Sequence, residues 1–228
     1  GVSTAVLEVS SHALDLHRVD TLHFDVGVFT NLTRDHLDFH GTMEAYFEAK
    51  ALLFDQVAAQ QEKKPVAVLN VDDPAGRRLA TRLGNRVRLV RYGLGATADF
   101  RASNVRFDAS GTQYQLEVGE RKLLVRLPLI GRFNVSNSLA ALAGATACGL
   151  NLREAVASLA HAPQVPGRLE CVSGRRAFRA FVVGAGDEVD ECRTGAAFVG
   201  HLRHVEAVGA PQVFHFQRVQ CGDAGGGV

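Results

Sequence analysis

Three rhythms of apolar and polar positions divide the chain. Short apolar runs, residues 4–9 and 24–29, predict buried strands of a parallel sheet, and residues 66–70 and 87–92 predict two further strands of a β-α-β series. Between them, residues 43–60 bring Tyr46, Phe47, Lys50, Leu53 and Phe54 onto one face at helical spacing, with Thr42 as the cap. Lys50 therefore falls on the inward stripe. Pro65 introduces the third run, and the turn Asp72-Asp73-Pro74 starts a short helix that reaches about residue 83. From residue 99 the rhythm becomes alternation, over 104–107, 112–118 and 122–127, with breaks at Ser110-Gly111 and Gly119-Glu120, which predicts an antiparallel meander. Beyond Gly131, the alanine- and leucine-rich stretch 134–148 and the stretch 152–159 predict two helices separated by Gly149 and Asn151.

These elements add up to an α/β fold: a mostly parallel sheet flanked by helices, with a small antiparallel subsheet over about 99–127. The patterning fails after about residue 173. From there to Val228 the chain holds six arginines and ten glycines, no lysine, no isoleucine and a single leucine, Leu202, and it ends in Gly225-Gly226-Gly227-Val228. No element is assigned to it.

A length of 228 residues with 46% hydrophobic content suffices for a substantial core. The net charge of +1 gives no electrostatic case for nucleic acid or an anionic membrane, and no apolar run approaches the roughly 18 residues of a membrane span. Small molecules or proteins are the expected partners, and a monomer the expected state. Cys148, Cys171, Cys192 and Cys221 lie far apart without metal-binding spacing, so neither a zinc cage nor a disulfide framework is expected and a reducing cytoplasm is. Because the chain opens on Gly1 and reaches its first apolar run by Thr4, it reads as a fragment that starts inside a domain.

Candidate chemistry clusters after the first two runs. Glu8 sits near the end of the run 4–9, which leads into Ser10-Ser11-His12. A carboxylate at the end of a buried strand should meet a metal, a base or hydrogen-bond donors, since unpaired burial costs several kcal/mol, on the order of ~2–7. The run 24–29 leads into Thr30-Asn31-Leu32-Thr33-Arg34-Asp35-His36-Leu37-Asp38-Phe39-His40-Gly41, a polar segment crowded with charge. Parallel strands place their C-terminal ends side by side, where ligands bind in open α/β sheets, so Glu8 and His36 are expected to meet.

The strings Glu8-Val9-Ser10-Ser11-His12, Thr30-Asn31-Leu32-Thr33-Arg34-Asp35-His36-Leu37-Asp38 and Glu48-Ala49-Lys50, with Arg18, closely resemble the Mur ligases, nearest the MurE type, from Gly1 to about Cys171. The resemblance implies an ATP-dependent amide ligase of peptidoglycan synthesis. In such an enzyme the D-glutamyl carboxylate of UDP-MurNAc-L-Ala-D-Glu is phosphorylated and a diamino acid, meso-diaminopimelate or L-lysine, attacks the acyl phosphate. Phosphoryl transfer between anions depends on charge neutralisation and alignment by magnesium and basic groups.

Carried over residue by residue, Glu8 and His36 resemble the Mg2+-associated pair, although histidine is a soft ligand for so hard an ion. A buried ion pair is the plain alternative. Lys50 resembles the lysine that this family carbamylates into an anionic oxygen ligand, against the ordinary reading of a side chain whose head snorkels to solvent. Ser11, His12 and Arg18 resemble the contacts to the UDP-MurNAc-dipeptide, whose carboxylate and phosphate oxygens suit hydroxyl and guanidinium donors. His17 is expected to be exposed and uninvolved. Asn134 and Asn137, in Gly131-Arg132-Phe133-Asn134-Val135-Ser136-Asn137, resemble the adenine-side motif and also suit a helix start. Arg168, in Pro166-Gly167-Arg168, resembles an arginine that reaches ATP phosphates. Asp35 and Asp38 carry both a site reading and a capping one, and Asn70 with Asp72 and Asp73 resembles a structural turn of the family.

The family's glycine-rich phosphate loop, G-x-x-G-K-[ST], is not found in the chain and is expected upstream of Gly1. The expected organisation is therefore 1–164 as an incomplete central ATP-binding domain, 165–172 as a hinge toward a third domain, and 173–228 as an unassigned tail, read as translated out of frame. The fragment alone is expected to be inactive. Rival readings are a D-alanyl-D-alanine-adding or folylpolyglutamate-type ligase, against which Ser10-Ser11-His12 argues, a non-catalytic UDP-sugar-binding remnant, and a hydrolase metal site on an unrelated scaffold.

Overall fold

The computed structural model describes residues 4–34, 36–60, 64–108, 110–163, 170–171 and 181–182. Six strands form one sheet in the order β1 (Val26–Phe29), β2 (Val66–Asn70), β3 (Arg88–Gly93), β4 (Phe100–Asp108), β5 (Gly111–Val118) and β6 (Arg121–Leu127). The first four pair in parallel and the last three antiparallel, with Tyr92↔Phe100 and Gly93↔Arg101 joining the two parts. The antiparallel subsheet thus continues the main sheet. A further short pair, β7 (Glu170–Cys171) and β8 (Phe181–Val182), stands apart from it in sheet pairing.

Helices cover both faces, which is why β2 is buried at every position. Its Ala67 and Leu69 pack with Phe47, Phe54 and Val57 of α3 (Met43–Ala59) and with Leu79 and Leu83 of α4 (Pro74–Leu83). Val66 and Val68 point the other way, toward Val135, Leu139 and Leu142 of α5 (Arg132–Ala147), and α6 (Leu152–Leu159) closes that layer beside β6. Full burial of side chains of this size contributes about 1.5–3 kcal/mol each. Two short helices, α1 (Ser11–Asp15) and α2 (Leu37–His40), lie against α3.

Local chemistry sets the helix boundaries. Thr42 Oγ1 accepts the Ala45 amide at 3.1 Å to start α3, and Asp73 Oδ1 accepts the Ala75 amide at 2.7 Å to start α4, with Pro74 in the first turn. An ion-pair ladder then registers the two helices: Arg78 bonds Glu44 and Glu48, Arg82 bonds Glu48 and Asp55 at 2.6 Å each, and Arg86 reaches Asp55 at 3.0 Å. Arg78 also covers the Phe47 ring at 3.9 Å. Since α3 carries Lys50, this ladder helps fix where that lysine stands.

One predicted strand does not form. Residues 4–9 belong to no element, Val6 is 93% exposed, and Glu8 is exposed rather than held at the end of a core strand. A run that is apolar on both faces gains nothing as a strand unless a sheet edge accepts it and helices cover it. Among the described residues β1 pairs only with β2, and residues 4–9 pair with no strand.

Candidate functional site

The parallel ladder ends at Phe29↔Leu69, and the chain beyond Phe29 crosses the C-terminal edge of the sheet. His36 starts α2 with φ 54°, a left-handed backbone that histidine tolerates better than most side chains. That conformation turns the helix α2 back beside α1. Ser10 Oγ accepts the Ala13 amide at 3.1 Å and so starts α1, which brings Ser11 and His12 to the same place.

The result is a cluster of rings around Tyr46. The His36 and Tyr46 rings meet edge to face at 5.8 Å, and the His40 ring stacks on Tyr46 at 5.1 Å. Lys50 Nζ lies 5.0 Å from the Tyr46 centroid. His12 stands 5.2 Å from His36 and 4.0 Å from Phe39 between ring centroids, while the buried Ser11 hydroxyl shares a 2.9 Å hydrogen bond with His40 Nε2. Burial lowers the His40 pKa, the nearby His12, His36 and Lys50 act in the same direction, and Asp15 opposes them. Burial therefore favours the neutral imidazole at His40.

Of the residues read from sequence, Ser11, His12, His36 and Lys50 come together here. Glu8 does not: it is exposed, and among the described residues it has no hydrogen bond or ion pair. Arg18 is exposed, as is His17, which bonds Asp20 at 2.8 Å away from the cluster. Asp38 is exposed in the first turn of α2. Asp35 and Arg168 lie outside the described residues, as does nearly all of the expected hinge and the tail. Residues His36 and Lys50 suit a divalent ion in part, as an imidazole nitrogen and, once carbamylated, a hard oxygen. Among the described residues, however, no three His, Cys, Asp or Glu side chains are already gathered to hold one.

The adenine-side motif differs from the capping expectation. Gly131, at φ 112°, is the residue that starts α5, and Asn134 reaches back to donate to the Ile130 carbonyl at 2.9 Å instead of accepting an amide. Asn137 is exposed one turn further on.

In the sequence His40 is one more polar residue of the segment 30–41, and the 70–73 turn reads as structural. The spacing of His36 and His40, four apart, and of Tyr46 and Lys50, also four apart, was the available signal for the ring cluster. The turn proves to be well connected. Asn70 Nδ2 donates to the Thr30 carbonyl at 2.7 Å, Asp73 Oδ2 accepts the Leu32 amide at 3.1 Å, and Asp72 accepts the Leu94 and Gly95 amides at 2.7 and 3.1 Å. A cavity of about 700 Å³, lined by Lys64, Arg86, Arg88 and Arg91 among others, lies at the opposite, N-terminal ends of β2 and β3 and holds none of these groups.

Residues 1–145 match the Mur ligase middle domain. The chain is 47% identical over 182 residues to the UDP-N-acetylmuramoyl-L-alanyl-D-glutamate--2,6-diaminopimelate ligase of Halalkalibacterium halodurans, an alignment that covers 80% of this chain and 37% of that protein. The enzyme of the same name from Geobacter metallireducens is 41% identical over 215 residues, 93% of this chain and 40% of the relative. An alignment of 215 residues necessarily runs past Cys171. A solved structure of a ligase with that name superposes with a TM-score of 0.67 at 33% identity, covering 76% of this chain and 35% of the other. The MurF ligase from Thermotoga maritima in complex with ADP shares the fold, with a TM-score of 0.58 at 22% identity over 73% of this chain and 36% of that one. The chain thus spans well under half the length of the curated relatives it matches.

Proposed function

The chain belongs to the Mur ligase family, and we propose that it is the middle part of an ATP-dependent ligase that adds 2,6-diaminopimelate to UDP-MurNAc-L-Ala-D-Glu. The convergence of His36 and Lys50 on Tyr46, at the C-terminal edge of the parallel strands, is the observation that carries this reading to the site. The names shared by the relatives support diaminopimelate, rather than lysine, as the amino acid. In the proposed reaction the γ-phosphoryl group passes to the D-glutamyl carboxylate and ADP leaves. The diaminopimelate amine then attacks the acyl carbon, phosphate is expelled and an amide forms.

In this reading His36 and carbamylated Lys50 would hold Mg2+, and Glu8, exposed here, is the third residue that the resemblance assigns to the ion. When bound, the ion would neutralise phosphate charge and help align the attacking carboxylate. Ser11, His12 and Arg18 orient the UDP-MurNAc-dipeptide by hydrogen bonds to its anionic oxygens. Asn134 and Asn137 sit on the adenine side, and Arg168 is the phosphate contact. Tyr46 lies against the Lys50 ammonium, and the His40 ring stacks on Tyr46. The proposal places the ligase in the cytoplasm as a monomer; no helix among the described residues is long and apolar enough to cross a membrane.

Because the family's phosphate loop is not found in these 228 residues, the chain by itself should bind UDP-MurNAc-L-Ala-D-Glu without ligating it. Incubation with that substrate, ATP and diaminopimelate, followed by chromatography, tests this. Absence of the tripeptide product together with calorimetric binding of the dipeptide substrate is the expected outcome; no binding would remove the assignment of Ser11, His12 and Arg18, and product would overturn the predicted inactivity.

A further inference from the structure

We infer that Asn70 is a positioning residue that couples the loop leading to His36 with the N-terminal part of α5, so that the metal side and the adenine side of the site keep a common register. This deepens the proposed ligase reading and rests on it for the roles of the two sides. The need arises where the sheet stops. After Phe29 the chain leaves the β1–β2 ladder, and its backbone groups would lose their partners. Side chains of the neighbouring strands replace that ladder: Tyr92 Oη donates to the Phe29 carbonyl at 3.0 Å, Asn70 Nδ2 to the Thr30 carbonyl at 2.7 Å, and Asp73 accepts from the Leu32 amide at 3.1 Å.

Asn70 reaches α5 as well: its Nδ2 makes a second, longer contact of 3.5 Å with Ser136 Oγ. Asn70 Oδ1 is occupied by the Asp72 amide at 3.0 Å, so both ends of this buried amide are engaged. A turn that needed only to reverse the chain would be served by that local bond and by the Asp73 cap of α4. The bonds to Thr30 and Ser136, residues 40 and 66 positions away in sequence, do something else: they tie together two segments that do not follow one another. Gly76 permits the close packing this requires, since a Cβ there would stand 1.8 Å from the Asn70 carbonyl oxygen.

Amide hydrogen exchange on the 228-residue chain tests the coupling without any substrate. The variants are Asn70→Ala, Ser136→Ala and Ser136→Thr, the last of which keeps the hydroxyl. Coupling predicts that Ser136→Ala speeds exchange of the Leu32 amide about tenfold, that Asn70→Ala does the same and also speeds exchange at Val135, and that Ser136→Thr stays near wild type. Amides of β5 and β6 should keep their rates. Unchanged Leu32 exchange in Ser136→Ala overturns the inference, as does a parallel acceleration at every amide, which would signal a general loss of stability. Should Asn70→Ala fail to fold, the Ser136 pair decides. Titration of the same chain with Mn2+, followed at the His36 ring, reports separately on the metal reading, so its failure leaves the exchange result intact.

Discussion

Lys50 stands one helical turn beyond Tyr46 with its ammonium 5.0 Å from the ring centroid. An aromatic face within about 6 Å of a cation attracts it, by about 0.5–1 kcal/mol where solvent is near. Tyr46 is also the ring against which His36 and His40 pack. The tyrosine therefore sets the distance between the imidazole and the lysine. Replacing Lys50 by Ala or Arg in the complete ligase should lower the ligation rate by about 100-fold or more while leaving the fold intact, as measured by turnover beside circular dichroism. Unaltered turnover would remove Lys50 from the site.

Two glycines should respond to the same substitution with opposite signs. At Gly76 a Cβ would meet the Asn70 carbonyl oxygen at 1.8 Å, a backbone atom that cannot rotate aside, so Gly76→Ala should cost about 3 kcal/mol or prevent folding. Gly144, inside α5, would place its Cβ at an ordinary 3.6 Å from Val28 Cγ2. Gly144→Ala should stabilise by about 0.5–1 kcal/mol through helix propensity. Urea denaturation midpoints measure both.

Tyr92 and Tyr114 should resist ionisation. Burial pushes the Tyr114 hydroxyl up to about 12, with its bond to Ser138 opposing the shift, and burial raises Tyr92 further. A tyrosine whose folded pKa lies above its unfolded value near 10 adds stability that is fully present below pH 10 and is lost as pH rises toward the folded value. Absorbance titration should therefore show both phenols ionising late, in step with alkaline unfolding. A reversible titration of all three tyrosines near pH 10 in the folded chain would contradict the burial.

Val6 separates the patterned expectation from the observed structure. At 93% exposure, Val6→Asp should change stability by less than about 0.5 kcal/mol. Were residues 4–9 a covered strand of the sheet, the buried unpaired carboxylate would cost several kcal/mol, on the order of 2 or more. Chemical denaturation of the single variant decides.

The discrepancy at Val6 marks what hydrophobic patterning can and cannot convey. Helix α3 was readable because Thr42 and the stripe Tyr46, Phe47, Phe54 agree, and β2, α4, the meander and α6 were readable for the same kind of reason: period, cap and break all fall within a few residues of one another. An apolar run reports that a segment would profit from burial, not whether a neighbour is there to bury it, and residues 4–9 and Glu8 fail on that point. The site was readable as residue types at strand ends. Its geometry was not, because the left-handed backbone of His36, the Ser11–His40 bond and the reach of Asn70 to Thr30 and Ser136 depend on side chains distant in sequence.

The central claim is that His36 and Lys50 together make the metal-holding end of a phosphoryl-transfer site. Its most direct test is a manganese titration of the chain, labelled at histidine and supplied with bicarbonate, followed by the paramagnetic broadening of each imidazole signal. His36 should broaden first, and Lys50→Ala should weaken the effect at least about tenfold. Sharp His36 signals at manganese concentrations that broaden other histidines, or broadening indifferent to Lys50, would contradict it.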